Sequence, residues 1–222
     1  MPVTESPLVG RDIALADLGV ALGAAANGVG GCMVISGPAG IGKSRLLAVA
    51  AARALQLGMS IAPGRATELD RASPLRTLSS ALGNCEPADM DLTALDDVVG
   101  TRFSLIDRVG EAIEDYVRAR SLLIIIDDAQ WADELSALAL RVFVPALSSS
   151  PLLWLLGRRP VPVRSPGQDT IDHLIAEDAR RLALGPLPDK AVAELCAHVL
   201  GAHPDATVLA LAARSGGNLY GR

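Results

Sequence analysis

The chain has 222 residues, half of them hydrophobic and 3% aromatic, with a formal net charge of −5. That size suits one ordinary domain, or one domain with a small appended lobe, around a core of Ala, Leu, Val and Ile. The mild acidity, with 20 Lys and Arg scattered along the chain, argues against a free-standing nucleic-acid binder, which carries a clustered basic face. Cys32, Cys85 and Cys196 are far apart and odd in number, so neither a zinc site nor a disulfide framework is suggested. The N-terminus lacks the basic and apolar runs of a signal peptide. The longest apolar run, 122–126, is too short to span a bilayer. The expectation is a soluble cytoplasmic protein with no membrane partner.

In chain order, turn formers lead into Leu8, Val9, Gly10 and Arg11. Apolar residues at Ile13, Leu15, Leu18 and Leu22 predict a helix over 12–26. The run 32–36 is apolar and bounded by glycines, which predicts a buried strand. A glycine-rich loop follows, then a long Ala/Leu-rich helix over 43–57. A second strand is expected over 59–62 and a helix near 75–82. An acidic loop is expected around 86–97, and a helix over 103–119. The runs 122–126 and 152–156 are apolar at every position, as in strands of a parallel sheet buried on both faces. Between them, 135–147 is helical. A short fifth strand is expected over 181–184. Helices follow near 189–200 and 205–214, and Ser215, Gly216, Gly217 and Asn218 break the pattern. Alternating strands and helices imply an α/β fold, here a five-stranded parallel sheet flanked by helices. The expected boundaries are an α/β domain over 1–185 and the start of a small helical lobe over 186–222.

Three places carry chemistry. Gly37, Pro38, Ala39, Gly40, Ile41, Gly42, Lys43 and Ser44 match GxxxxGK[ST] in full, between a strand and a helix. The glycines let backbone N–H groups cradle phosphates, and the helix start adds a positive dipole end. Lys43 is expected to reach the β- and γ-phosphates, and the Ser44 hydroxyl to ligate Mg²⁺; Arg45 follows within the same turn. Asp127 and Asp128 follow the strand 122–126, at the carboxyl end where ligands of such sheets sit. Asp127 is expected to bind the magnesium held by Ser44, and Asp128 to orient or deprotonate an attacking water. Arg158 and Arg159 follow the strand 152–156, where an arginine can sense the γ-phosphate through charge-assisted hydrogen bonds. Trp131 and Cys32 read as packing residues. His173, His198 and His203 have no evident partners in the sequence.

Together these segments resemble a known family. Leu8-Val9-Gly10-Arg11, then 37–47, 122–133 (LLIIIDDAQWAD), 152–160, 182–187 and 215–220 (SGGNLY) are similar to the ATPase domain of the STAND class, within the P-loop NTPases of AAA+ type. The likeness is greatest to large ATP-binding regulators of the LuxR family. It implies that Val9, Gly10 and Arg11 lie beside adenine and ribose, and that Pro186 packs on the base. It favours Arg159 over Arg158 as the arginine after the fourth core strand, and it places Gly217 and Asn218 near a hinge. Gln130 stands where many members carry His, a departure that bears on water positioning. The implied function is an ATP/ADP switch with slow magnesium-dependent hydrolysis, in which ATP permits self-association. DNA binding would belong to a C-terminal segment beyond residue 222. Two alternatives stay open: a P-loop small-molecule kinase, with Arg158 and Arg159 on a transferring phosphoryl group, and the same module fused to a cyclase or protein kinase output.

Overall fold

The computed structural model describes residues 8–88, 90, 102–160 and 164–214. Strands β1 (Gly31–Ser36), β2 (Ser60–Arg65), β3 (Leu122–Asp127), β4 (Leu152–Arg158) and β5 (Arg180–Ala183) form one sheet. Its order is β2-β3-β4-β1-β5, and every pairing is parallel. The strand that enters the glycine loop, β1, and the strand that ends in Asp127, β3, are therefore not neighbours. Strand β4 lies between them and delivers its own C-terminal end to the same rim of the sheet.

Successive strand residues point to opposite faces, and both faces are covered. Met33, Ile35, Leu123, Ile125, Leu153 and Leu155 form one core with Leu18 and Leu22 of α1 (Asp12–Ala26) and Leu46 and Ala50 of α2 (Lys43–Gln56). Val34, Ile124, Ile126, Trp154 and Leu156 form the other. That second core is closed by α3 (Arg76–Gly83), α4 (Arg102–Ala119), α5 (Glu134–Ala146) and α6 (Pro166–Ala176). Each of these central strands feeds two cores, which is why 122–126 and 152–156 carry no polar alternation. Phe143 stacks on Trp154 at 6.5 Å between ring centroids. The scarce aromatics are thus concentrated in the core lying against α5.

Two elements depart from the sequence expectation. β2 runs on to Arg65 through Pro63 and Gly64 instead of stopping at Ala62. It is an edge strand, in register with β3 on one side, Pro63 opposite Ile125 and Arg65 opposite Asp127, and bridged on the other only at Ile61, to Glu86. An edge strand needs ladder donors on one side only, so a proline that reads as a breaker is accommodated. Helix α6 is absent from the sequence reading. Its signals are local: Ser165 accepts a hydrogen bond from the Gln168 amide, and Pro166 occupies the first helical turn. Its apolar face is too short for periodicity to find, and His173 falls on it.

Helices α7 (Asp189–Leu200) and α8 (Ala206–Arg214) pack on each other after β5. The expected acidic loop over 86–97 lies mostly outside the described residues, as do Gly216, Gly217 and Asn218. Among the described residues no helix is long and apolar enough to cross a membrane.

Candidate nucleotide site

The loop after β1 is shaped by two glycines with left-handed backbone, Gly40 at φ 76° and Gly42 at φ 100°, the latter capping α2. Side chains with a Cβ rarely adopt this conformation. Ile41, 2% exposed, plugs the loop into the core below. Pro38 and Ala39 are exposed at its crest, and Arg45 is half-buried on the first turn of α2. Lys43 is buried, and its Nζ donates to the carbonyls of Gly37 at 2.9 Å and Pro38 at 2.8 Å. Burial pulls its pKa down, as does the charge of Arg159, against the opposing pull of Asp128 and Asp127.

The Ser44 hydroxyl donates to Asp127 Oδ2 at 2.5 Å, across 83 residues of sequence. The other oxygen, Asp127 Oδ1, accepts the Asp128 amide at 2.8 Å. Asp127 is accommodated by a missing side chain on the neighbouring strand: a Cβ on Gly157 would lie 2.8 Å from Asp127 Oδ1. A glycine inside an otherwise large apolar strand is the sequence signal of such close approach.

Asp128 has a left-handed backbone, φ 52°, and is 7% exposed. Its Oδ2 accepts from Arg65 Nη2 at 2.9 Å and Nε at 3.2 Å. Its Oδ1 accepts from Gln130 Nε2 at 3.1 Å. Arg159 Nε lies 3.2 Å from the same oxygen, an ion-pair contact without hydrogen-bond alignment. Burial works to raise the pKa of this carboxyl, but the hydrogen bonds from Gln130 and Arg65 and the charges of Arg159 and Arg65 outweigh it and hold it below the usual carboxylate range. Arg65 was not anticipated, because the strand was expected to end three residues before it. The Asp128 contact raises the Arg65 pKa in turn.

The two arginines after β4 separate. Arg159 faces Asp128, as above. Arg158 is buried, its Nε donating to Ser36 Oγ at 3.1 Å and its Nη1 to Asp172 Oδ1 at 2.5 Å. Its guanidinium is thereby engaged by the end of β1 and by α6. Arg11 is likewise engaged by the protein. It is 9% exposed, and its guanidinium donates to Gly185 O at 2.8 Å and Ile41 O at 3.0 Å. It thus ties the phosphate loop to the segment after β5, and burial lowers its pKa. Gly10, at φ 67°, packs against the start of α7, where a Cβ would lie 2.5 Å from Ala191 Cβ. Val9 and the exposed Pro186 flank this junction, so the fold brings the two predicted base-side segments together.

The sequence over residues 7–155 matches the model of the AAA ATPase domain family, more than half of the chain. This chain belongs to the AAA ATPase domain family. Solved structures similar to this AAA ATPase domain include the Aeropyrum pernix ORC2 protein in ADPNP–ADP complexes (TM-score 0.60, 16% identity, 91% of this chain and 54% of that one). The Aeropyrum pernix ORC1 protein in complex with DNA is similar too (TM-score 0.62, 18%, 99% and 59%). So is a signal transduction ATPase with numerous domains, a STAND protein with a tetratricopeptide repeat sensor, from Pyrococcus horikoshii (TM-score 0.61, 19%, 99% and 30%). At these identities the likeness is one of fold. This AAA ATPase domain spans between 30% and 59% of the length of those three chains. No curated protein is significantly similar to it in sequence.

Proposed function

We propose that this AAA ATPase domain is an ATP/ADP switch with slow magnesium-dependent hydrolysis, acting within a LuxR-family transcriptional regulator of the STAND class. The observation that carries the switch reading is Arg11. One guanidinium holds the carbonyl of Ile41, inside the phosphate loop, and the carbonyl of Gly185, at the head of the segment leading to α7. A loop rearranged by a γ-phosphate acts on that segment through a buried side chain. The fold shared with a STAND protein that carries a repeat sensor supports the same reading.

The loop amides and Lys43 would bind the phosphates. Ser44 and Asp127 offer adjacent hard oxygen donors, the type magnesium takes, and Gly157 leaves room for the Asp127 carboxylate. Bound there, magnesium would neutralise charge on the phosphate oxygens. Asp128 orients the attacking water, and both of its oxygens already have protein partners, which fits slow turnover. Arg159 would meet negative charge on the phosphate, a role its place beside Asp128 supports. Self-association in the ATP state and promoter binding by a further segment complete the proposal.

The test is ATP affinity in Lys43→Ala. Charged hydrogen bonds are each worth about 1.5–3 kcal/mol, so affinity falls by roughly tenfold to a hundredfold or more. Calorimetry on a folded variant that binds ATP as tightly as the wild type would remove the site.

A further inference from the structure

Gln130 is 0% exposed, and both ends of its side-chain amide are engaged at the candidate site. Nε2 donates to Asp128 Oδ1 at 3.1 Å, and Oε1 accepts the Arg159 backbone amide at 3.1 Å. Its own carbonyl accepts Ser165 Oγ at 2.6 Å. Asp128 has a second partner of different character, since the Arg65 side chain is 68% exposed and comes from an edge strand. The Arg65 guanidinium is reached by water and can leave the pair, whereas the Gln130 amide is fully buried and has no water to exchange with. Of the groups around Asp128, Gln130 is the fully buried one, beside the partly exposed side chains of Arg65 and Arg159.

We infer that Gln130 is a positioning residue for hydrolysis, fixing the Asp128 carboxylate against the end of β4 so that its Oδ2 side is the one offered to water when Arg65 swings out. The inference rests on the reading of Asp128 as the residue that orients the attacking water. Gln130 has both a donor and an acceptor in use, so it also locks the distance between Asp128 and the Arg159 backbone. No single apolar or anionic side chain reproduces both bonds.

The experiment is a double-mutant cycle on the whole chain, with Asp128→Asn, Gln130→Met and the double variant. Single-turnover ATP hydrolysis and ATP dissociation constants are measured for each. Gln130→Met is expected to slow hydrolysis about tenfold or more, with the dissociation constant within about twofold of wild type. In the Asp128→Asn background it is expected to add nothing, since it acts through that carboxylate. Wild-type turnover in Gln130→Met, beside a slowed Asp128→Asn, overturns the positioning role. So does a slowing that multiplies with that of Asp128→Asn, which marks a merely structural residue. Wild-type turnover in Asp128→Asn overturns the reading of Asp128 itself, and the inference with it. If Gln130→Met does not fold, Gln130→Asn takes its place under the same criteria, because it keeps a neutral amide and, one methylene shorter, cannot span Asp128 and the Arg159 amide at once.

Discussion

Asp133 serves two helices at once. It is the N-cap of α5, where Oδ1 accepts the Ser136 amide at 2.9 Å. The same oxygen accepts Leu75 N at 2.8 Å, and Oδ2 accepts Thr77 N at 3.0 Å, at the start of α3. Leu75 sits at φ 58°, a conformation disfavoured for a branched side chain, and this carboxylate helps hold it there. The carboxylate is 1% exposed, so water does not replace it. Asp133→Ala leaves three buried N–H groups without their acceptor. Loss of an N-cap costs about 1 kcal/mol, and a buried unsatisfied donor about 1–3 kcal/mol. The expected destabilisation is thus about 3 kcal/mol or more by urea unfolding, with Asp133→Asn intermediate because it keeps one acceptor oxygen. An alanine variant within about 0.5 kcal/mol of wild type would mean that the amides find other partners. The sequence offered Asp133 only as part of the DDxxWAD segment. Nothing in it indicated that the acceptor bridges 58 residues to α3.

At the scale of elements, the contact between the N-terminal turn and α7 is built on Gly10. Both the positive φ and the 2.5 Å approach to Ala191 exclude a larger residue without movement. Ala191 is the buried residue of α7, so this contact anchors that helix. Gly10→Ala is expected to raise amide hydrogen exchange in α7 while leaving β1, β3 and β4 protected, because those strands are buried on both faces and open only with the global transition. Uniform loosening of the sheet would show that Gly10 supports the whole fold rather than one junction. The separation of Arg158 from Arg159 belongs to the same scale. Both follow an apolar strand and look equivalent in sequence. Consecutive strand residues point to opposite faces, so one meets Ser36 and Asp172 while the other meets Asp128.

For the whole molecule, an ATP/ADP switch implies that nucleotide is part of the folded state's stability. A ligand that binds only the native form stabilises it by about 2.7 kcal/mol at a hundredfold excess over its Kd. The purified protein is expected to retain ADP, detectable after acid denaturation. ADP with magnesium is expected to raise the melting midpoint of the stripped chain, and to do so much less in Lys43→Ala. A stripped chain whose midpoint ignores ADP would count against the ATP/ADP switch.

The chain's own order of residues determined the five parallel strands, the glycine loop, Lys43 and Ser44 at the start of the helix after that loop, and Asp127 and Asp128 at the carboxyl end of β3. These depend on local signals: apolar runs of strand length, glycines at set spacing, and acids directly after a strand. Tertiary structure alone decided the rest. The insertion of β4 between β1 and β3 put Arg159 beside Asp128 and made Gly157 the space for Asp127. The edge position of β2 carried Arg65 into the site. Burial committed Arg11, Arg158 and Gln130 to partners far away in sequence. A buried polar group must find a hydrogen-bond partner, and which partner it finds depends on the packing of elements, information that no residue spacing contains.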